Sequence, residues 1–554
     1  MTSIPWAAAQ PAVSRSGRAR SANVQLPLPD AWSALVPLLA GALVASGILI
    51  GWRGSDLPAQ IYRVEAIRQH GLALWDSQWF AGHWMLGYSV LYPALTAVTG
   101  LAVMSVLSAM AAAVAFDRLF LGHFGRAAAR PASIAFAVSL TVETAIGQLP
   151  FLAGEAAGLW CCLALARHRP WLAALGALFA GLLSPLAGAF VALAVLAWLL
   201  ATWWPQASAR SSRDRMADGL HRPGVGGALG VVAAIGALLG LVGLLFPGQG
   251  PMPYPLPDCA WELSIAAALW LITPVTERAL RFGLVLFGLA AVASVSVPSA
   301  LGGNIGRMED CLALPLAVVL LWPRRRLLLA LLAVPLVLSQ WGPAWGAMTS
   351  ARGHPWMIQS YYQPLIRWLH HAGGPTGRVE VVPTADHWES AYVAPSVALA
   401  RGWERQLDVA DNPLFYDRDE LNNGSYLAWL LDNGVRYVAL PSAPLDYAGV
   451  AEGQLVAAGV PGLHQVRRTP HWTVYQVDGA TGIVSGPGNL SKIDGSHLSV
   501  NVSSPGTVEV RVHDNPGWKV ASGAATLDAS PDGWILVHAF LPGPVHLALG
   551  LPVP

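Results

Sequence analysis

The sequence predicts an α-helical polytopic membrane bundle followed by a water-exposed C-terminal region. Of its 554 residues, 54% are hydrophobic and only 12% are charged, whereas soluble chains carry about 25% charged residues. The apolar residues gather in long runs within residues 31–345, and arginines gather between those runs. Such a low share of charge leaves too little polar surface to face water on every side, so lipid must cover much of this part of the chain.

The apolar runs predict about eleven transmembrane helices. The first run follows a tail, residues 1–30, that has arginines but no short apolar core with a cleavage site, so we expect a retained signal anchor. Ser184-Pro185 divides one long run, and its halves are expected to form either two tilted spans or a re-entrant pair. The runs lie near 32–52, 92–116, 131–150, 153–166, 170–183, 185–204, 225–246, 260–275, 279–297, 310–322 and 325–345.

Arginine placement predicts the orientation of these spans, because short cytoplasmic loops carry an excess of basic residues. If the tail 1–30 is cytoplasmic, every dense arginine cluster falls on that same side. We therefore expect a multi-pass protein of the plasma membrane, with a transmembrane domain at 31–345 and a first outer loop at 53–91. The inner arginines are Arg118, Arg126, Arg130, Arg167, Arg169, Arg210, Arg213, Arg215, Arg222, Arg278, Arg281, Arg324, Arg325 and Arg326.

Beyond residue 345 the composition changes to that of a water-soluble, extracytoplasmic fold. Between 346 and 479, two helical patterns alternate with two strand patterns, which predicts an α/β region. From 480 to 554, short alternating segments are separated by Gly, Pro, Asp and Asn, which predicts a β-sandwich. The helical patterns lie at 361–371 and 425–432, and the strand patterns lie at 378–382 and 436–440.

The first outer loop is long and rich in aromatic residues. Residues 60–70 have the pattern of a short amphipathic helix, with Ile61, Val64 and Ile67 on one face. Aromatic side chains at high density favour the headgroup level. We therefore expect the loop to lie on the outer membrane face. Its aromatic residues after that helix, with the first of the next span, are Trp75, Trp79, Phe80, Trp84, Tyr88 and Tyr92.

Carboxylates near the predicted outer face are the main candidates for chemistry, because ionisable groups at membrane depth are costly and usually line a cavity or form pairs. Asp56 follows the first span and Asp76 lies within the loop. Asp56 has a second interpretation, as the cap of the helix that begins at Leu57-Pro58. Asp76 could instead hold a turn. Glu143 and Glu155 lie within or between the third and fourth spans, where pairing with arginines is the alternative to a site role.

Further polar residues would complete a cleft that opens outward. Arg63 lies on the predicted loop helix, and Arg307 precedes Glu309 and Asp310 at the mouth of a later span. The alternative for these last three residues is an ion pair at the interface. His83 would either bind substrate or pack among the aromatic rings.

No metal or other cofactor is predicted, because no cysteine or histidine spacing typical of a metal site occurs. A divalent ion is an alternative that no motif indicates. Cys161 and Cys162 lie in an apolar run, where small buried thiols are common. Cys259 and Cys311 flank two spans on the outer side, so a disulfide between them is an alternative to free thiols.

Two segments resemble a known family of membrane proteins. The first outer loop resembles that of the YfhO-like bacterial membrane proteins, which belong to the wider GT-C glycosyltransferase superfamily. Residues 514–520, Asp-Asn-Pro-Gly-Trp-Lys-Val, resemble a strand of that family's C-terminal β-domain. Between 120 and 345 the likeness is limited to hydropathy and the segment around Arg307. The matching loop residues are Asp56 to Gln60, Leu74-Trp75-Asp76, Trp79 to His83, and Tyr88 with Leu91-Tyr92-Pro93.

The resemblance implies an enzyme that passes a sugar from a polyprenyl-phosphate donor to a glycan, lipid or protein acceptor of the cell envelope at the extracytoplasmic face. Asp56 would be the general base of an inverting reaction. Many GT-C enzymes have a paired acidic motif in this loop, which this chain lacks, so Asp76 is the candidate second carboxylate. Arg63 and Arg307 would hold the lipid phosphate. The other predicted substrate-binding residues are Gln60, His83, Tyr88 and Glu309.

Two other functions are compatible with these features. A non-enzymatic carrier or assembly factor for lipid-linked glycans would need the same scaffold without the chemistry. A transporter often shows two similar halves and interrupted helices, but this sequence has no internal repeat. No nucleic-acid-binding signature occurs, so the expected partners are the lipid-linked sugar, its acceptor and the bilayer.

Overall fold

The computed structural model describes residues 31–204, 224–248, 250–350, 354–372, 376–417 and 419–550. The predicted cytoplasmic tail, residues 1–30, and the arginines between 210 and 222 lie outside the described residues. Within the described residues, a helical bundle is followed by a strand-rich C-terminal region. The predicted fold class is therefore confirmed.

Helices occupy all eleven predicted apolar runs, and seven helices of the described chain are long and apolar enough to cross a membrane. The chain is a multi-pass membrane protein. The run near 92–116 forms two helices because Gly100, at φ +85°, ends one and begins the next, a conformation that glycine adopts without steric cost. The helices are α1 (Ala31–Ile50), α2 (Leu57–His70), α3 (Tyr92–Thr99), α4 (Leu101–Phe124), α5 (Arg126–Ile146), α6 (Leu149–Ala166), α7 (Pro170–Leu183), α8 (Pro185–Trp203), α9 (Val225–Leu245), α10 (Leu256–Ile272), α11 (Arg278–Ser296), α12 (Arg307–Leu321) and α13 (Arg326–Ser350).

Small side chains let the bundle helices approach each other closely. Ala109 and Ala112 on α4 and Ala132 on α5 are fully buried. Helices in lipid associate through close packing, because lipid tails are as apolar as leucine. Phe116 of α4 stacks on Phe136 of α5, with 4.1 Å between the ring centroids. These contacts form the core of the bundle.

The two ends of the bundle differ in charge. At one end, Arg118, Arg167 and Glu277 line a single hollow, so three arginine-rich connections meet there. Arg130 lies over the ring of Trp32 at the start of α1, 5.1 Å from its centroid. The opposite end meets the first outer loop and the C-terminal region. This separation agrees with the distribution of arginine along the sequence.

The first part of the C-terminal region is a four-stranded sheet with helices around it. The sheet order is β3-β4-β6-β5, with β3 and β4 parallel and the other pairs antiparallel. The strands are β1 (Trp75–Asp76) and β2 (His83–Trp84) in the first loop, and then β3 (Arg378–Val381), β4 (Val435–Pro441), β5 (Leu463–Arg468) and β6 (Trp472–Val477). The helices are α14 (Gln359–His371), α15 (Glu389–Tyr392), α16 (Arg405–Asp411), α17 (Asn423–Asp432) and α18 (Tyr447–Ala458).

The second part is a sandwich of two four-stranded antiparallel sheets. Their orders are β12-β13-β10-β7 and β11-β14-β9-β8. Val508, Val510 and Val512 alternate along one strand and are fully buried, as expected for side chains between two packed sheets. The strands are β7 (Val484–Ser485), β8 (Gly488–Asp494), β9 (His497–Val502), β10 (Gly506–His513), β11 (Trp518–Ser522), β12 (Ala525–Ala529), β13 (Trp534–Ala539) and β14 (Gly543–Leu549).

Several aromatic rings of the first outer loop are buried in protein rather than exposed to lipid, and the position of the loop at the outer membrane face stays a prediction. Trp75 and Trp84 pack into the core of the sandwich, and Trp79 packs into the core of the α/β region. The amide of Ser77 donates to the carbonyl of Gly495 at 3.0 Å. The C-terminal region covers the loop, and its apolar cores bury the rings that the sequence pattern assigned to lipid.

The four cysteines are free thiols, so the disulfide considered between Cys259 and Cys311 is absent. Cys259 is buried in an apolar cluster at the outer end of the bundle. The thiol of Cys311 instead donates to Oε1 of Glu143 at 2.6 Å.

Candidate active site

A hollow of about 380 Å³ lies where the first outer loop, the bundle and the C-terminal region meet. It is referred to below as the outer hollow. Five of the eight residues predicted from sequence to act or bind line it, and the other three lie elsewhere. The five are Asp56, Gln60, Arg63, Tyr88 and Arg307, and the three are Asp76, His83 and Glu309.

Asp56 reaches the outer hollow because the chain packs tightly after α1. Gly54 lies against the backbone of Ala145 and Ile146, where any side chain would collide. The amide of Asp56 then donates to the carbonyl of Ile146 at 3.0 Å. Asp56 occupies the N-cap position of α2, but its side chain accepts no capping hydrogen bond. The carboxylate, 19% exposed, is thus available at the hollow, and the capping interpretation does not hold for it.

Arg307, the first residue of α12, is the partner of Asp56. Its Nη2 lies 3.4 Å from Oδ2 of Asp56, and both side chains are partly exposed. This long contact leaves other guanidinium donors and carboxylate lone pairs able to meet a ligand. The alternative ion pair of Arg307 with Glu309 or Asp310 is not formed among the described residues, and Glu309 instead accepts a hydrogen bond from Oγ of Ser339 at 2.9 Å.

Arg63 is buried on α2 and pairs with Glu404 of the C-terminal region. Its guanidinium carbon lies 4.2 Å from the centroid of the Tyr88 ring. Within the described residues, Nε and Nη1 of Arg63 and Oε1 of Glu404 have no hydrogen-bond partner. Burial raises the pKa of Glu404 above its ordinary value, although the adjacent Arg63 opposes the rise. Buried donors without partners are costly, so this arrangement favours a role in binding an anion.

The segment 403–406 closes the outer hollow from the C-terminal side and is held by buried ion pairs. Arg401, just before it, donates to both carboxylate oxygens of Asp408 at 2.9 and 2.6 Å. Arg405 donates to both oxygens of Asp446 at 2.9 and 2.8 Å. Arg401 uses two nitrogens and Arg405 uses only Nη2, and the two-nitrogen contact of Arg401 in particular restricts the guanidinium geometry. The segment is therefore fixed on both sides of its glutamate.

The lining of the outer hollow is partly polar and partly apolar. Nε2 of Gln60 donates to the hydroxyl of Tyr88 at 3.4 Å, and burial raises the pKa of Tyr88, which keeps that hydroxyl neutral. Apolar side chains of Leu239, Val242 and Phe246, on and after α9, also line the hollow. Only 17% of the membrane-crossing stretch of α9 is buried inside the protein, so this helix faces lipid. An amphiphilic ligand suits such a hollow.

Asp76 lies outside the outer hollow and holds a turn. The hydroxyl of Tyr62 donates to its Oδ2 at 2.8 Å, and the amide of Gln78 donates to its Oδ1 at 3.0 Å. Burial raises the pKa of Asp76 to about 6, against these hydrogen bonds and the charge of Arg63. A catalytic role for Asp76 stays a prediction, and the second carboxylate of the outer hollow is that of Glu404.

The raised pKa of Asp76 gives a testable pH dependence. Because folding favours the protonated carboxyl, its contribution to stability is complete below the unfolded pKa and is lost as pH rises through about 6. We expect the free energy of unfolding to fall by about 2 kcal/mol between pH 4 and 8 from this group. Unfolding measured across that range should depend less on pH in Asp76→Asn. An unchanged slope would contradict the assignment, and the neighbouring, more exposed Glu65→Gln is the control.

His83 and Glu309 also lie outside the outer hollow. The ring of His83 stacks on Trp79 at 5.6 Å between centroids, and burial lowers its pKa to about 3, so it packs as a neutral ring. Trp79 in turn covers Gly402, where no side chain would fit. This stack joins the first loop to the segment 403–406. Glu309 instead lines a mostly apolar hollow inside the bundle.

In one cluster of the described residues, the possible ligand atoms lie close enough together to bind a metal ion. Ligand atoms of Glu143, Glu155 and Cys311 lie within 4.8 Å of one another inside the bundle. Glu143 pairs with the Cys311 thiol rather than with an arginine, so the pairing considered from sequence is replaced by this hydrogen bond. The absence of a metal or other cofactor from the function stays a prediction.

No family model and no curated protein matches the chain. Among solved structures it is similar to the arabinofuranosyltransferase AftD from Mycobacteria, with a TM-score of 0.45 and 17% identity over 86% of this chain. That match covers 43% of the AftD chain, so this chain spans less than half its length. It is also similar to the oligosaccharyltransferase AglB from Archaeoglobus fulgidus, determined with an inhibitory peptide and a dolichol-phosphate. That TM-score is 0.34, with 12% identity over 74% of this chain and 69% of AglB.

Both of these similar proteins are transferases by name. At TM-scores below 0.5 and identities below 25%, the likenesses give no evidence of activity or substrate. The narrower resemblance to YfhO-like proteins stays a prediction.

The C-terminal residues of the outer hollow were missed from the sequence. Trp403, Glu404, Arg405 and Gln406 line it. The one sequence feature that could have indicated these residues is the local density of charge. Three of the five residues at 401–405 are charged, and the other two are a Gly-Trp pair. Nothing in that pattern relates Glu404 to Arg63, which is 341 residues earlier.

Proposed function

We propose that this protein is a GT-C-type membrane glycosyltransferase that transfers a sugar from a polyprenyl-phosphate donor to a cell-envelope acceptor at the extracytoplasmic face. The acceptor would be a glycan, a lipid or a protein. The observation that carries the proposal is the carboxylate of Asp56, which caps no helix, at a hollow lined both by polar side chains and by apolar side chains of a lipid-facing helix. A sugar attached to a prenyl chain through phosphate has this same polar and apolar character.

Asp56 acts as the general base in this proposal. It takes the proton of the acceptor hydroxyl while that oxygen forms a bond to the anomeric carbon of the donor sugar. The bond from this carbon to the phosphate oxygen breaks, and polyprenyl phosphate leaves with the electron pair. Attack opposite the leaving group inverts the anomeric configuration. Phosphate leaves as a stable anion, so the leaving side requires positive charge more than an acid.

Arg63 and Arg307 supply that positive charge. Arg63 offers Nε and Nη1, which have no hydrogen-bond partner among the described residues, while Glu404 holds its Nη2. Arg307 lies beside Asp56, so a second guanidinium able to bind the phosphate is close to the base. Guanidinium groups match phosphate oxygens in pairs. The wall formed by Leu239 and Val242 would receive the first part of the prenyl chain.

A transfer assay in membranes tests the proposal. Membranes with and without the overproduced protein are supplied with labelled polyprenyl-phosphate sugars, and label in the envelope fraction is measured. We expect protein-dependent transfer from one donor pool, with release of polyprenyl phosphate. Binding of donors without transfer from any pool would overturn the enzyme proposal and support the carrier or assembly factor.

Loss of the Arg63 guanidinium is expected to weaken donor binding rather than turnover. Because Arg63→Ala alone leaves the buried Glu404 without a counter-charge, the informative variant is Arg63→Ala with Glu404→Gln, compared with Glu404→Gln alone. We expect KM for the donor to rise about 10- to 100-fold, as for a lost charge-assisted hydrogen bond, with kcat little changed. An equal KM in both variants would remove Arg63 from the donor site.

A further inference from the structure

A second hollow, of about 450 Å³, lies at the arginine-rich end of the bundle and is called the inner hollow here. It is formed where α4 and α6 end and where α9 and α11 begin. Arg118, His123, Arg167, His168 and Glu277 are its ionisable lining residues. The inner hollow is at the opposite end from Asp56 and has no part in the proposed transfer.

The two arginines of the inner hollow carry charge that no described carboxylate neutralises. Glu277, the one acidic residue among the described lining residues, pairs with His123 at 2.8 Å. Within the part of the chain that the structure describes, Nη2 of Arg167 is buried without a hydrogen-bond partner. Partial burial and the nearby guanidinium groups of Arg118 and Arg169 lower the pKa of Arg167. Like charges are thus held together beside a cavity.

The inner hollow continues into an apolar one of about 240 Å³ within the bundle. Leu119, Phe120, Ala194 and Leu280 line both spaces, so the two adjoin. The described lining of the deeper space is apolar apart from Glu309, whose carboxylate accepts from Ser339. The combined space has a cationic mouth and an apolar interior, which matches the two parts of a membrane lipid.

We propose that this combined space binds one anionic glycerophospholipid from the leaflet at the arginine-rich end, with its phosphate at Arg118 and Arg167 and an acyl chain in the apolar part. Guanidinium groups form paired hydrogen bonds with phosphate oxygens. Basic pockets between transmembrane helices on the cytoplasmic side bind lipid headgroups in this way. A free phosphate would leave the adjoining apolar space without a role.

Lipid retention by the purified full-length protein tests this site. The protein is exchanged into dioleoylphosphatidylglycerol, dioleoylphosphatidylcholine or a mixture of the two, and bound lipid is counted by native mass spectrometry. We expect preferential retention of the anionic lipid. Arg118→Gln with Arg167→Gln should weaken that retention about fivefold for each arginine. The matched control is Arg324→Gln with Arg325→Gln, which removes two charges near the same end without touching either space.

A further variant tests the apolar part separately. Ala194→Phe fills the passage between the two spaces without changing charge, and we expect it to reduce retention as well. The proposal would be overturned if the double variant at Arg118 and Arg167 and the control double variant lost lipid retention equally. It would also be overturned if the wild type retained both lipids equally. Displacement of the bound lipid by inorganic phosphate, or stronger retention of polyprenyl phosphate, would also overturn the assignment to a glycerophospholipid.

Discussion

Replacing Asp56 with asparagine is expected to reduce sugar transfer by about 10²- to 10⁴-fold, which is the usual contribution of a general base. Asparagine has nearly the same shape but cannot take a proton from an attacking hydroxyl. The side chain caps no helix, and within the described residues its one ion pair is the long contact with Arg307. The variant should therefore fold normally and retain its affinity for the donor.

The comparison needs variants that separate chemistry from charge. Asp258→Asn removes an exposed carboxylate from the first turn of α10, away from the outer hollow, and should transfer sugar like the wild type. Arg307→Gln should raise KM for the donor, since the guanidinium is assigned to the phosphate. Initial rates would be measured over a range of donor concentrations for all three, to obtain kcat and KM separately. If Asp56→Asn keeps near-normal kcat, Asp56 is not the base.

Replacing Arg401 with leucine is expected to destabilise the α/β region by about 3–5 kcal/mol, as when one partner of a buried ion pair is removed. Arg401 is 3% exposed and contacts Asp408 and Glu452, with Glu380 at 4.0 Å. Burial raises the pKa of Glu452 to about 7 even with the arginine present. Without it, three carboxyl groups would be buried together with no adjacent positive charge from Arg401.

This destabilisation should appear as a lower unfolding midpoint of the purified protein in lipid or detergent. Because Arg401 holds the segment that carries Glu404, loss of transfer should accompany the loss of structure. Arg468→Leu on β5 removes an exposed arginine from the same region and should change the midpoint little. A midpoint for Arg401→Leu equal to that of this control would contradict a structural role for the network.

The sequence determined the elements of this protein, because local patterns suffice for them. Apolar runs predicted the bundle helices, and alternation between Gly- and Asp-rich turns predicted the sandwich strands. Asp56, Arg63 and Arg307 could also be chosen, because charged residues beside apolar runs have few energetically acceptable places other than a polar cleft or an ion pair. The sequence alone could not decide whether Asp56 caps the helix that follows it, because that depends on the direction in which one carboxylate points.

Only the tertiary structure decided which of these residues share a space. Asp76 has the same charge as Asp56 and lies on the same loop, yet its carboxylate is taken up by Tyr62 and the amide of Gln78. Glu404 joins the site through its contact with Arg63, which lies 341 residues earlier in the chain. Long-range packing makes these assignments, because a side chain's neighbours depend on how distant segments bury their apolar surfaces together. The same packing moved the loop's aromatic rings from the expected lipid surface into the cores of the C-terminal region.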